Sequence, residues 1–177
     1  MPGALWGNMY TFKEAARAHS MGLDSLIGIP MRVAGSLLIG FLVYGIILAE
    51  TGGGKFFINI AESLMGKYRG GPAKVAILAS GFFGMLSGSP TSNVITSGSL
   101  TIPAMKKAGY SGRYAAAIEA CASTGGVLMP PVMGTVAFIM ASFLNLPYAE
   151  ILLAALIPGA IFYIALIIQT DLYAAKN

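Results

Sequence analysis

Long apolar stretches broken by short polar clusters organise this chain. Val33 to Ala49 is a run of 17 residues without a charge, and Ile151 to Ile168 is a second of 18. At about 1.5 Å per residue they reach roughly 26 and 27 Å as helices, close to the ~30 Å hydrocarbon core of a bilayer. Each predicts a transmembrane helix. Between them lie two shorter apolar segments, Val75 to Leu86 and Val94 to Met105, of 12 residues each. Helices of that length extend only about 18 Å, too short to span. They flank the polar stretch "MLSGSPTSNVITSG", Met85 to Gly98. Two short legs around a polar tip predict a helical hairpin that enters and leaves by one face. From Tyr114 to Leu146 runs a 33-residue apolar stretch interrupted by Glu119 and by "STGGVLMPPVMG". A straight helix of that length would cover about 50 Å. Its Gly and Pro pairs predict a span with an unwound middle, or a second short hairpin.

The remaining segments are less patterned. Residues 1–26 carry Lys13, Glu14, Arg17, His19 and Asp24 and predict a short surface or interfacial helix. In "ETGGGK", Glu50 to Lys55, three glycines end the first span. In the segment that follows, Phe57, Ile60, Ala61 and Leu64 share one helical face, while Asn59, Glu62, Ser63 and Lys67 lie elsewhere. That is an amphipathic helix suited to the membrane interface or to a partner surface. The chain thus divides into an N-terminal segment (1–26), a transmembrane helix with an amphipathic arm (27–68), a central unit (69–146) and a C-terminal transmembrane helix (147–177). The central unit holds a re-entrant hairpin at 72–105 and a broken helix at 112–146. The fold class is all-α, a polytopic membrane protein.

Composition supports this division. Only 10% of the residues are charged and 56% are hydrophobic, whereas soluble domains carry about 25% charge. The net charge of +4 reports orientation. Lys67, Arg69 and Lys74 precede the hairpin, and Lys106, Lys107 and Arg113 follow it. Both mouths therefore face the cytoplasm, together with Lys55 and Lys176, while Lys13, Arg17 and Arg32 fall on the other side. The opening "MPGALWGNMY" lacks the charged start of a signal peptide. A lone cysteine, Cys121, forms no internal disulfide.

Irregular backbone at membrane depth leaves amides and carbonyls unpaired unless protein or a water-filled cavity covers them. Two breaks, at 87–93 and 123–131, therefore point to a binding site. Helix N-termini offer N–H groups to an anion, and unwound carbonyls with hydroxyl oxygens offer hard ligands to a small cation. Ser87, Ser89, Thr91, Ser92 and Asn93 supply the first tip, and Ser123, Thr124, Gly125 and Gly126 the second. Ser97, Ser99 and Thr101 read as hydroxyls satisfying helix backbone. Glu119, the one carboxylate well inside an apolar stretch, is a candidate proton site or cation partner. Six residues beyond Arg113, it equally reads as a side chain snorkelling to the interface. A serine nucleophile in "SGS" would need a base within reach. The sole histidine, His19, precedes the first span, and Lys106 and Lys107 sit at a leg's mouth, so the chain does not read as an enzyme. The basic residues explain topology and leave no case for a nucleic-acid partner.

The stretches "SGSPTSNVITSGSLTIPAMKKAGY" and "AAAIEACASTGGVLMPPVMGTVAFIMASFLNLPY" closely resemble the large membrane subunit of tripartite ATP-independent periplasmic (TRAP) transporters. "KYRGGPAK" before the hairpin resembles the fused permeases that work with binding proteins of the TAXI type. The resemblance covers roughly residues 25–170. It implies half of an elevator-type secondary transporter in a bacterial or archaeal cytoplasmic membrane. A periplasmic binding protein would deliver an organic anion, a carboxylate, and a sodium gradient would drive its uptake. No cofactor is implied besides sodium as coupling ion. Ser87, Gly88, Ser89 and Asn93 would meet Thr124, Gly125 and Gly126 around that ion, and Thr91, Ser92, Pro130 and Pro131 would face the substrate. The implied partners are the binding protein, a small membrane subunit or its fused equivalent, and the lipid bilayer. A second hairpin and a second broken helix are missing from this sequence. The chain is therefore expected to be a fragment or one piece of a split permease, needing its other half for transport. Read without the resemblance, the residues leave open a proton-coupled carrier using Glu119 and a non-transporting membrane scaffold.

Overall fold

A computed structural model describes residues 10–22, 25, 27–33, 35, 36 and 39–176. Its described elements are helices: α1 (Phe12–Met21), α2 (Ile29–Val33), α3 (Ile39–Glu50), α4 (Gly53–Met65), α5 (Gly71–Ser87), α6 (Pro90–Lys107), α7 (Gly112–Gly126), α8 (Thr135–Leu144) and α9 (Tyr148–Lys176). Near the N-terminus α1 is exposed and closed by a capping box, in which Thr11 and Glu14 satisfy each other's backbone amides. Ala34, Leu37 and Leu38 of the first expected span lie outside the described residues, as do residues 1–9, Asp24 and Asn177. What is described of that span is Val33 at the end of α2, Gly35, Ser36 and the uncharged stretch Ile39–Ala49 of α3, which ends at Glu50.

Small residues bring α5, α6, α7 and α9 together. Ala73, Ala76 and Ile77 of α5 share a core with Met105 of α6, Ala115, Ile118 and Ala122 of α7, and Tyr163 of α9. Water supplies no driving force between helices in lipid, so close approach of alanine and glycine backbones must carry the packing. Gly81 lies against the Tyr163 ring, and the Tyr163 hydroxyl donates to the Ala122 carbonyl at 2.6 Å. Helix α4 lies along the same bundle, with Ala61 set among Val75 and Ala79. Its buried face runs through Gly54, Phe57 and Ala61, whereas Leu64, expected on that face, is exposed. The rotation follows from Gly54, which seats the first turn against Thr96 of α6.

Both hairpin legs are longer than the sequence pattern suggests. Helix α5 has 17 residues and α6 has 18, about 26 and 27 Å. Length therefore no longer separates a re-entrant hairpin from two crossings. The extension has local causes. Lys74 remains helical because an ion pair takes up its charge, and Pro90 suits the first turn of α6, where no amide partner is needed. Ser97 and Thr101 bond back to carbonyls of their own helix. The tip contracts accordingly to Gly88 and Ser89, and Thr91, Ser92 and Asn93 belong to the first turns of α6. The second break also moves. Helix α7 continues to Gly126, so the interruption is 127–134 rather than 123–131.

Helix α9 has 29 residues, roughly 43 Å, and is the one described helix long and apolar enough to cross a membrane. Its exposed side carries Leu153, Ile157, Ile161, Ile164 and Ile168. At its far end Asp171 pairs with Arg69 and Lys74, both at 2.5 Å. Tyr173 stacks there on Tyr114, which stacks on Tyr110. The start of α5, the α6–α7 turn and the end of α9 thus share one end of the bundle.

Candidate functional site

The opposite end brings the hairpin tip and the helix break into contact. Gly88 closes α5 in the left-handed conformation at φ 61°, its amide donating to the Gly84 carbonyl at 2.9 Å. A Cβ at Gly88 would stand 2.4 Å from the Met133 carbonyl oxygen, so glycine is required twice over, by φ and by space. Ser89 caps α6, its hydroxyl accepting from the Ser92 amide at 3.3 Å. The break is folded on itself by the Gly134 amide donating to Val127 (2.9 Å), with Met133 held at φ 61°. It is tied to the hairpin by the Val132 amide, which donates to the Met85 carbonyl at 3.1 Å. Tyr148 of α9 directs its hydroxyl to the Val132 and Pro131 carbonyls, 2.6 and 3.0 Å away. Deeper in, Gly84 and Gly126 touch backbone to backbone.

Four helix ends converge here: the C-termini of α5 and α7 with their carbonyls, and the N-termini of α6 and α8 with their amides. The first pair suits a cation and the second an anion. Helix α9 runs alongside the break. Gly159 packs against Leu128 and Met129 at the near edge of the break. Twelve residues, about 18 Å of helix, separate Gly159 from Asp171. Gly159 is mid-way along the uncharged run Ile151 to Ile168, whereas Tyr148, which holds the far edge of the break at Val132 and Pro131, precedes that run.

The structure distributes the expected site residues unevenly. Ser87 is buried and its hydroxyl has no hydrogen-bond partner. Gly88 and Ser89 form the tip. Asn93 is fully buried, its Nδ2 donating to the Ser80 carbonyl at 2.7 Å. Gly126 faces Gly84, but Gly125 packs against the Phe162 ring, and exposed Thr124 donates to the Ala120 carbonyl at 2.8 Å. Ser123 is buried beside Glu119 rather than at the break. Thr91 and Pro131 are exposed, and Ser92 and Pro130 half-buried. Gly84, Met85, Val132, Met133 and Tyr148 build the junction and were not singled out from sequence. The spacing of Gly81, Gly84 and Gly88 along one apolar helix is the signal that could have found the first.

Glu119 does not snorkel. It is fully buried among α5, α6 and α7, because hydroxyls from three helices meet its carboxyl. Ser80 and Ser97 approach Oε1 at 2.5 Å each, Thr101 approaches Oε2 at 2.6 Å, and Ser123 lies 3.4 Å from Oε1. Ser97 and Thr101 therefore do more than satisfy their own helix. Ser99 does only that, donating to Thr96.

The sequence model of the DctM component of tripartite ATP-independent periplasmic transporters matches residues 4–177. The C4-dicarboxylate TRAP transporter large permease protein DctM of Vibrio cholerae is 35% identical over 133 residues, 75% of this chain and 29% of its own length. The isethionate TRAP transporter permease protein DctMQ of Oleidesulfovibrio alaskensis is 31% identical over 137 residues, 77% of this chain and 21% of its own. The ectoine/5-hydroxyectoine TRAP transporter large permease protein UehC of Ruegeria pomeroyi is 29% identical across 99% of this chain and 40% of its own. The chain thus spans well under half the length of these relatives. A family match over nearly all 177 residues, on a fold whose hairpin tip docks into a helix break, places this chain in the DctM family of tripartite ATP-independent periplasmic transporters.

Proposed function

We propose that this chain forms part of a secondary transporter permease in a bacterial or archaeal cytoplasmic membrane, importing small organic anions with sodium. The carrying observation is the junction of hairpin tip and helix break, fastened by Val132 to Met85 and by Gly84 against Gly126. Convergent carbonyl ends and amide ends at membrane depth suit a cation and an anionic group side by side. Ser87 supports the cation, since a buried hydroxyl with no partner costs stability unless something binds it. Ser89, Asn93, Gly88, Gly126, Gly125 and Thr124 complete the proposed sodium set. Thr91, Ser92, Pro130 and Pro131 border the proposed anion side. Relatives named for C4-dicarboxylate, isethionate and ectoine support small charged solutes as the cargo class. The periplasmic binding protein, a small subunit or its fused counterpart, and the permease regions beyond this match complete the proposed machine. The unit 69–146 would move as a body against the membrane-fixed helices. The test is proteoliposomes holding the chain together with the relative's remaining sequence and its binding protein. Uptake should require an inward sodium gradient and vanish in Gly88→Ala.

A second reading, proton coupling, is favoured by the complete burial of Glu119. Glu119→Gln separates the two. A sodium carrier keeps its ion dependence, and a proton carrier loses it.

A further inference from the structure

We propose that Glu119 is a proton-binding site whose acid hydroxyl donates to Ser97, which in turn donates to Asn93, so that a proton buried between three helices sets the side chain of the hairpin's first turns.

The inference comes from counting protons. Ser97 Oγ has four oxygen neighbours: Glu119 Oε1 at 2.5 Å, Asn93 O at 2.8 Å, Asn93 Oδ1 at 3.0 Å and Ser80 Oγ at 3.1 Å. A hydroxyl carries one proton. Both Asn93 oxygens can only accept, and the amide cannot turn over, because Nδ2 donates to the Ser80 carbonyl. If Ser97 gives its proton to an ionised Glu119, it presents bare oxygen to both Asn93 acceptors. If it gives the proton to Asn93, the contact with Glu119 needs a proton from the carboxyl. A protonated Glu119 supplies the proton that the Ser97–Glu119 contact otherwise lacks, and only the longest of the four, Ser80 to Ser97 at 3.1 Å, is left without one. Its hydroxyl donates to Ser97, Ser97 donates to Asn93, Ser80 donates to Oε1, and Thr101 donates to Oε2.

Charge leads to the same assignment. An ionised carboxylate at this burial requires a counter-charge. On α5, Lys74 is committed to Asp171, and on α9 Asp171 faces Lys74 and Arg69. Lys106 and Lys107 on α6 and Arg113 on α7 are exposed. Tyr163, the titratable group α9 brings nearest this core, gives its proton to Ala122. On the flanking α4, Lys55 and Glu62 are exposed. The 2.5 Å contacts leave no room between the oxygens for a metal ion, whose ligand bonds alone take about 2.3–2.6 Å.

With its proton, Glu119 holds Asn93 Oδ1 on Ser97 and away from the tip. Loss of the proton would free Asn93 to join a bound cation; this consequence rests on the sodium reading above, but the proton assignment does not. The test is infrared spectroscopy of the full chain in phospholipid vesicles at neutral pH, with and without carboxyl-13C glutamate. Glu14, Glu50, Glu62 and Glu150 are exposed, so a 13C-shifted band of protonated acid can come only from Glu119. One such band is expected, displaced by Ser97→Ala and unmoved by Ser123→Ala. Glutamate signal confined to carboxylate bands would overturn the proton site. A band that ignores Ser97→Ala would overturn the relay to Asn93. Neither readout depends on transport, so failure of the sodium reading is detected separately, by uptake.

Discussion

Gly84 and Gly126 are in backbone contact: a Cβ on Gly84 would stand 2.8 Å from the Gly126 Cα, and one on Gly126 would stand 2.7 Å from the Gly84 Cα. The contact joins the last turns of two helices whose ends form the junction. It lets the hairpin and the broken helix share a wall no thicker than their main chains. No side chain separates the carbonyls of α5 from those of α7 there.

Gly126→Ala should therefore destabilise the unit by overpacking, by about 1–3 kcal/mol. Cys121→Ala, at an exposed position of the same helix, serves as the control and should leave stability within about 0.5 kcal/mol. Thermal or denaturant unfolding in detergent measures both.

Gly88→Ala forces a left-handed conformation on a residue with a Cβ, at about 1–2 kcal/mol, and drives that Cβ against the Met133 carbonyl. The Met85–Val132 hydrogen bond should open. Faster amide exchange at Val132 is the expected signature, with exchange in the middle of α7 unchanged.

Ser87→Ala removes an unpartnered buried hydroxyl, a group whose burial costs about 1–3 kcal/mol. Without sodium the variant should unfold at a higher temperature than the parent. The rise in midpoint on adding sodium should shrink. A sodium response equal to the parent's would remove Ser87 from the proposed ion site.

Glu119→Ala leaves the hydroxyls of Ser80 and Ser97 without their shortest contact and opens a void. A loss of at least about 3 kcal/mol is expected. Glu119→Gln keeps an acceptor and a donor and should cost well under half as much. Equal losses would mean that shape, not hydrogen bonding, holds the site.

Asp171, beyond the uncharged part of α9, is held below the usual carboxylate range by hydrogen bonds from Arg69 and Lys74. A lowered folded value means that its contribution to stability is complete above the unfolded value of about 3.9 and is lost as pH falls through the folded one. Acid unfolding of the parent should show this loss, whereas Asp171→Asn should be less stable at neutral pH and less sensitive to acid. Because Lys74 is buried and Arg69 exposed, Lys74→Met together with Asp171→Asn should recover more stability than Arg69→Gln with Asp171→Asn.

Much of the helical arrangement was legible because its signals are one-dimensional. A run without charge from Ile151 to Ile168 reads as a membrane-length helix whatever surrounds it. Gly88 and Ser89 read as a break because their local chemistry ends one helix and caps the next. The exact limits were not legible. The legs outran their apolar runs because polar ends were satisfied by distant partners, as Lys74 is by Asp171, 97 residues away.

By itself the sequence determined that apolar helices dominate, that two of them are interrupted, and that polar side chains gather at the interruptions. Hydropathy and the conformational limits of Gly and Pro act along the chain, so they can be read along it. Only the tertiary structure decided that Gly125 turns to Phe162 while Gly126 turns to Gly84, and that Glu119 is enclosed rather than drawn to the interface. Those outcomes depend on which residues of other helices arrive beside them. The hydroxyls of Ser80 and Thr101 reach Glu119 across 39 and 18 positions of sequence, and packing alone brings them there.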